Sequence, residues 1–418
     1  MAERALRVLI TCRELMVRAG SQLYTRDVAE ALRELGHAPV VYSPRLGPVA
    51  EEMRSRGVAV IDHLDRLGAP PDVIHGQHHL EAMAAMLRFP AVPALFLCHG
   101  WLPWEEAPPR FPSLQHYVAV DHLRRDRLVL EHGIPESQVT VLPNFVDLDR
   151  FRPRPAPLPP RPRRALLLSN QASARTFVPA VERACAASGL DLTVAGFAAG
   201  AAASRPEELL ADFDLVFARG RAALEAMAVG AAVVLCDVEG DGPLVDTTGF
   251  AALRDLNFGL ATLRPPVDEE RLRTQIGRYD PQEAARVRDL VRRENGRRDA
   301  VERLVALYRG AIAAAPVLRG EEHARACLEA TARYVTWLGS HVATAEERLA
   351  TIERGRIMAE KERLAAETRW VSAEERLAET AATLHVLERS PFLRLRERLL
   401  GLRPLVAAWQ TVKARREG

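Results

Sequence analysis

The sequence lacks paired cysteines, a surplus of either charge and any long apolar run, and each absence excludes a class of protein. Its five cysteines, Cys12, Cys98, Cys185, Cys236 and Cys327, are scattered without a CxxC pair. That pattern excludes a disulfide framework and a cysteine-built zinc site, and it fits buried thiols in a reducing compartment. Basic and acidic residues nearly cancel, 57 against 55, so no overall field favours nucleic acid and any basic site has to be local. No apolar stretch approaches the roughly 20 residues that span a bilayer. The N-terminus passes straight into the apolar run RVLI, with no charged-then-apolar leader ahead of it. These absences predict a cytosolic protein, with a place at the inner face of a membrane as the one refinement. What is present is bulk: 418 residues, 48% hydrophobic, too many for one ordinary core and enough for two domains with an appendage.

Short apolar runs alternate with helical patterns from the start. Arg7 to Ile10 reads as a strand, and a helix over Gln22 to Leu35 stops at Gly36 before the strand PVVYSP. Helices over Val49 to Arg56, His79 to Leu87 and His122 to Glu131 then separate the runs VAVID, DVIHG, ALFLCHG, YVAVD and VTVLP. Such alternation predicts a doubly wound parallel sheet. RPRPAPLPPRPRR, from Arg152 to Arg164, is too rich in proline for a helix or inner strand and reads as an extended connector. Beyond it the alternation restarts with ALLLS, a helix over Phe177 to Ala187, LDLTVA and a short helix over Pro206 to Ala211. After Pro266 the pattern is helical throughout.

The predicted organisation is an α/β chain of two Rossmann-like domains, residues 1–151 and 165–318, joined by the proline-rich linker 152–164. A coiled coil or long helix follows at 319–389, and a basic amphipathic tail at 390–418. Two apolar rows repeat every seven residues in the long segment: Leu328, Val335, Val342, Leu349, Trp370, Leu377 and Leu384 in one, Leu338, Ala345, Ile352 and Ala359 in the other. The repeat suits a coiled coil or long helical hairpin, and through it a homo-oligomer. Arg356 and Arg363 interrupt the first row and predict a weak middle. The tail sets seven basic residues among Leu and Trp, a composition suited to peripheral contact with an anionic membrane.

One stretch concentrates chemistry. In DLVFARGRAALEAMAVGAAVVLCD, Asp214 to Asp237, a buried-strand pattern runs through Arg219-Gly220-Arg221 into a helix, and Gly230 ends that helix before a second strand. In a parallel sheet such a turn lies at the carboxyl edge, where the amides of a helix N-terminus favour a phosphate. Glu225 is the one charged residue inside this apolar helix. Spacing alone makes it a solvent-facing glutamate.

The two-halved pattern, the phrase VTVLPNFVDLDRF before the linker and LEAMAVGAAVVLCD in the second half resemble glycosyltransferases of the GT-B architecture, in particular the large retaining family four, over about residues 5–315. Pro143, Asn144, Val146 and Asp147 match that family's VIPNGVD-like phrase, with Phe145 in place of its glycine. The resemblance implies a cytoplasmic enzyme moving a sugar from a nucleoside-diphosphate-sugar donor to a glycan or lipid-linked acceptor. It implies retention, no metal and no cofactor, and a role in cell-surface polysaccharide biosynthesis, which the Ser-x-x-aromatic-Arg phrase of the tail also resembles.

On the same basis Glu225 binds the ribose hydroxyls, and the partner glutamate of the family's pair falls at Phe217. Arg219, Gly220 and Arg221 approach the diphosphate, the family's phosphate-binding Arg and Lys fall at Asn170 and Arg175, and Gly20 with the helix-capping Ser21 forms the first-domain phosphate turn. His99 is the catalytic histidine beside the donor sugar; His75, His78, Trp101 and Glu105 lie on the acceptor side. The uncharged replacements at Phe217 and Asn170 support one alternative, a catalytically degenerate GT-B scaffold that recruits polysaccharide-assembly partners through its coiled coil.

Overall fold

The computed structural model describes residues 4–100, 104–196, 198, 200, 205–315 and 320–389, with isolated positions between 391 and 407. Strands β1 (Arg7–Thr11), β2 (Ala38–Tyr42), β3 (Ala59–Ile61), β4 (Val73–Gly76), β5 (Ala94–Cys98), β6 (Leu114–Ala119) and β7 (Val139–Val141) form one parallel sheet in the order β3-β2-β1-β4-β5-β6-β7. Helices α1 (Gly20–Glu34), α2 (Pro48–Ser55), α3 (His79–Arg88) and α4 (His122–Asp126) connect them. The apolar runs are strands because they are short, bounded by turn residues and buried on both faces; β4 and β5 have no exposed residue.

The second sheet contains β8 (Arg164–Leu168), β9 (Asp191–Ala195), β10 (Leu215–Ala218), β11 (Ala232–Asp237) and β12 (Gly240–Leu244), in the order β12-β11-β10-β8-β9. It is flanked by α5 (Val178–Ala187), α6 (Pro206–Leu209), α7 (Gly220–Val229), α8 (Phe250–Asp255), α9 (Glu269–Ile276) and α10 (Pro281–Glu294). Strand β12 runs antiparallel to β11 and has no counterpart in the expected all-parallel pattern. Its sequence, GDGPL, is rich in poor strand formers, and it sits at the sheet edge, where proline is tolerated.

Chain crossings tie the two halves together. Past α10, α11 (Arg297–Ala314) returns to the first half, where Val301, Leu304 and Tyr308 enter the core built on β1, β5 and α1. The outgoing and returning crossings touch: the Val146 N–H donates to the Asn295 carbonyl, and the Arg297 N–H donates to the Val146 carbonyl, each at 2.9 Å. No described helix is long and apolar enough to cross a membrane.

The last described element is α12 (Glu321–Arg389), one uninterrupted helix of 69 residues. The helical-hairpin expectation fails here, because no glycine-led or proline-led turn breaks the repeat. From Arg333 onward it belongs to a second compact unit, and Val335, Leu349, Ile352, Trp370, Leu377 and Leu384 are exposed along it. The basic tail falls almost wholly outside the described residues.

Candidate functional site

In an open parallel sheet, ligands collect at the carboxyl edge where strand order reverses. In the first sheet that point lies between β1 and β4, and in the second between β8 and β10. Side chains from both reversals line two adjoining cavities.

At the first reversal, the Thr11 hydroxyl donates to the Gln77 carbonyl (2.8 Å) and accepts from the Gln77 N–H (2.9 Å). The Gln77 side chain spans from Thr25 on α1 (3.0 Å) to the Nε2 of His99 (2.7 Å). His99 follows β5. Its backbone N–H donates to Glu106 (3.2 Å), and its ring stands edge-on to Tyr24 with centroids 4.5 Å apart. Burial first, then the surrounding His78, His75, Arg221 and Arg124, hold His99 well below the ordinary histidine range, so the ring is neutral at physiological pH.

At the second reversal a single residue, Arg219, separates β10 from α7. Gly220 makes this turn at φ +57, a conformation costly to a side-chain-bearing residue, and its N–H donates to the Phe258 carbonyl (2.7 Å). The Arg219 guanidinium pairs with Asp237 at the end of β11 and reaches Glu239 at 3.3 Å. Asp237 in turn accepts from the Ser169 hydroxyl at 2.6 Å. Arg221 bonds both Glu225, at 3.1 Å, and Asp27 of α1. Asp27 therefore joins the two halves, since it also holds Arg26 at 2.6 Å. Burial pushes the Asp27 carboxyl upward, but the Arg221 and Arg26 guanidiniums outweigh it and keep the group below the usual aspartate range. Burial dominates at Glu225, whose carboxyl is raised despite Arg221.

The larger cavity, about 490 Å³, is lined by Leu168, Asn170, Gln171, Gly196, Glu225 and Asp237, and the smaller, about 280 Å³, by His99, Glu106, Asp121, Arg124, Asn144 and Asn257. Gly20, Arg219, Gly220 and Arg221 belong to both. Helices α1 and α7 begin at these glycines, and neither N-terminus has a side-chain cap. Two helix N-termini and two arginines thus meet where the cavities join, an arrangement that favours an anion there. Gly196 lets β9 approach β8; a Cβ at that position would lie 1.8 Å from the Ser169 carbonyl oxygen.

The sequence profile of Glycosyltransferase Family 4 matches residues 18–150. The solved structure of a glycosyltransferase from Rickettsia africae is similar at a TM-score of 0.52 and 16% identity, over 74% of this chain and 99% of that one. Anabaena HepE, solved in complex with UDP and glucose, gives 0.52 and 14%, over 72% and 99%. Sucrose-phosphate synthase from Thermosynechococcus elongatus gives 0.52 and 15%, over 74% and 100%. All three likenesses take in nearly the whole of the other chain, so the two-sheet architecture is that of GT-B enzymes. The chain is a GT-B glycosyltransferase of the family 4 type. No curated protein matches the sequence.

Of the residues expected in this glycosyltransferase's site, the structure gathers Gly20, Ser21, His99, Asn170, Arg219, Gly220, Arg221 and Glu225 around the paired cavities. Glu225 is buried rather than solvent-facing. Ser21 does not cap: α1 starts one residue earlier, and the Ser21 hydroxyl donates to the Gln22 side chain at 3.1 Å. Arg175 is exposed on the loop before α5 and lines neither cavity. His75 is fully buried against Tyr308 of α11, His78 accepts from the Arg13 N–H at 3.2 Å, and Glu105 pairs with Arg13 at 2.7 Å. Trp101 lies outside the described residues. Phe217 is a fully buried residue within β10, opposite Val234 and Leu167. With only Arg219 in the following turn, there is no loop there to hold a second carboxylate.

Sequence reasoning passed over Asp27, Gln77, Asp121, Arg124, Asp237 and Asn257. Asp121 and Asp237 carried a signal, since each closes an apolar strand run, YVAVD and VVLCD, at the edge where ligands bind. Asp27 carried none, being one of several charges in a helical stretch.

Proposed function

We propose that this glycosyltransferase takes its sugar from a nucleoside diphosphate, with the nucleoside in the larger cavity, the diphosphate where the helix N-termini converge and the sugar in the smaller cavity beside His99. The junction of the two cavities at Gly20 and Gly220 carries this reading. Cavities of this size suit a nucleotide and a hexose, and HepE, of the same fold, is solved with UDP and glucose. Glu225 accepts the ribose hydroxyls side by side, as a carboxylate can. Arg219 and Arg221 exchange a carboxylate partner for the diphosphate and stabilise its charge as the glycosidic bond breaks. In this reading transfer proceeds with retention, without metal or cofactor, onto a glycan or lipid-linked acceptor of a surface-polysaccharide pathway, with the tail at the membrane and α12 pairing with a second copy.

Calorimetry with UDP, GDP and ADP tests the reading. One of them should bind at micromolar to millimolar concentration, and Glu225→Ala should weaken it about 10- to 100-fold, the loss of a charge-assisted hydrogen bond. Absence of binding, or an alanine variant that binds equally well, would sink the reading. The buried Phe217 favours a second reading, a nucleotide-binding scaffold without transfer; slow hydrolysis of the matching nucleotide sugar without acceptor would dismiss it.

A further inference from the structure

We infer that Gln77 is a positioning residue that fixes His99 as the tautomer protonated at Nε2, so that the sugar cavity meets an imidazole whose Nδ1 is the hydrogen-bond acceptor. The inference rests on the sugar-cavity reading above for its catalytic consequence, though not for the tautomer itself. The hydrogen bonds settle which atom carries the proton. The Thr25 hydroxyl donates to the Ser21 carbonyl at 2.9 Å, so its oxygen can only accept, and the Gln77 group 3.0 Å away must be the amide NH₂. That orientation aims the Gln77 amide oxygen at His99 Nε2, 2.7 Å away. An amide oxygen has no proton to give, so Nε2 donates.

The arrangement is also rigid. Gln77 is fully buried, its backbone is bonded twice to Thr11, and it cannot exchange its partners for water. The ring it orients is held edge-on by Tyr24 and lines the smaller cavity. The titratable and charged groups facing that ring are His75, His78, Arg124, Arg221, Tyr24 and Glu106, and Glu106 is engaged by the backbone N–H of His99. The neutral ring therefore offers one defined acceptor to a hydroxyl of the transferred sugar. The uncharged chain Ser21–Thr25–Gln77–His99 also starts at the phosphate-facing end of α1, so the diphosphate seat and the sugar seat share one scaffold.

Carbon and nitrogen chemical shifts of ¹³C,¹⁵N-labelled histidine, with His99 assigned by difference from His99→Asn, read the tautomer without any donor. The expected result is Nε2–H in the wild type and a mixture of both tautomers in Gln77→Leu. Nδ1–H or a mixture in the wild type would overturn the inference. In turnover, Gln77→Leu should lower kcat at least about tenfold while the dissociation constant of the nucleoside diphosphate stays within about twofold. Gln77→Glu should move the acid limb of the kcat profile to higher pH by about one unit, because a carboxylate partner favours the imidazolium. Wild-type kcat and an unmoved profile in both variants would overturn the positioning role. Failure of the donor reading shows separately, as loss of nucleotide binding in calorimetry, and leaves the tautomer measurement intact.

Discussion

The two carboxyl edges that form the site are built from different chemistry. The first sheet supplies an uncharged chain of Thr11, Gln77 and His99, while the second supplies two arginines, each held by two carboxylates. A neutral network fixes direction, because every donor needs its own acceptor. A charged cluster fixes potential, and its members can change partners when a ligand brings new charge. The contrast assigns orientation of the sugar to one half of the molecule and handling of the diphosphate to the other.

Putting a carboxylate where the family pattern would have one should break the second edge outright. Phe217→Glu replaces a fully buried strand residue with a charge that no nearby group can pair, and should cost about 4 kcal/mol or more. A urea midpoint equal to wild type would mean that this position can turn toward the cavity. Cutting the link between the edges comes next. Asp27→Ala leaves Arg221 and Arg26 without their shared partner and should lower stability by about 3–5 kcal/mol; a loss under 1 kcal/mol would show that the pair is not held in solution.

Acidification probes the first edge more gently. Burial holds His75 at about 3, and burial with Arg13 holds His78 at about 4, whereas an unfolded histidine titrates near 6.5. Unfolding therefore takes up protons in this range. The stability these neutral rings contribute is whole above about pH 6.5 and is lost as pH falls toward their folded values, by about 1.4 kcal/mol per pH unit for each ring. Unfolding free energies at pH 7.5, 6.0 and 5.0 should follow that slope. In His78→Asn, which tolerates the positive φ of +58 at this position, the slope should fall by one ring's share, and an unchanged slope would remove His78 from the account.

The strands were legible because ALFLC, VVLC and their counterparts are short, apolar and bounded by turns, and the long helix because no breaker interrupts it. Edge strand β12 was hidden by its glycines and proline, and the return of α11 to the first core by a helical periodicity that names a buried face without naming its partner. In the site, the glycines at the two helix starts and the histidine at a strand end announced themselves by type and place. The residues that orient them did not. Gln77 and Asp27 matter because of what lies opposite them across 22 and 194 positions of chain, and one-dimensional spacing cannot express that. Matching by residue count placed the missing glutamate at Phe217, since counting backwards from Glu225 cannot detect that the turn has shrunk to one residue.

The paired crossings at Val146 and at Asn295 to Arg297 have a mechanical meaning. Two strands of chain bonded side by side act as an axle: they allow the halves to swing about the line they define and resist sliding, which would stretch both at once. The cleft then opens like a clam, and the lip opposite the axle carries Asp27 and Arg221. Any swing wide enough to admit a nucleotide must part that pair, so the same contact that closes the molecule sets how often it opens.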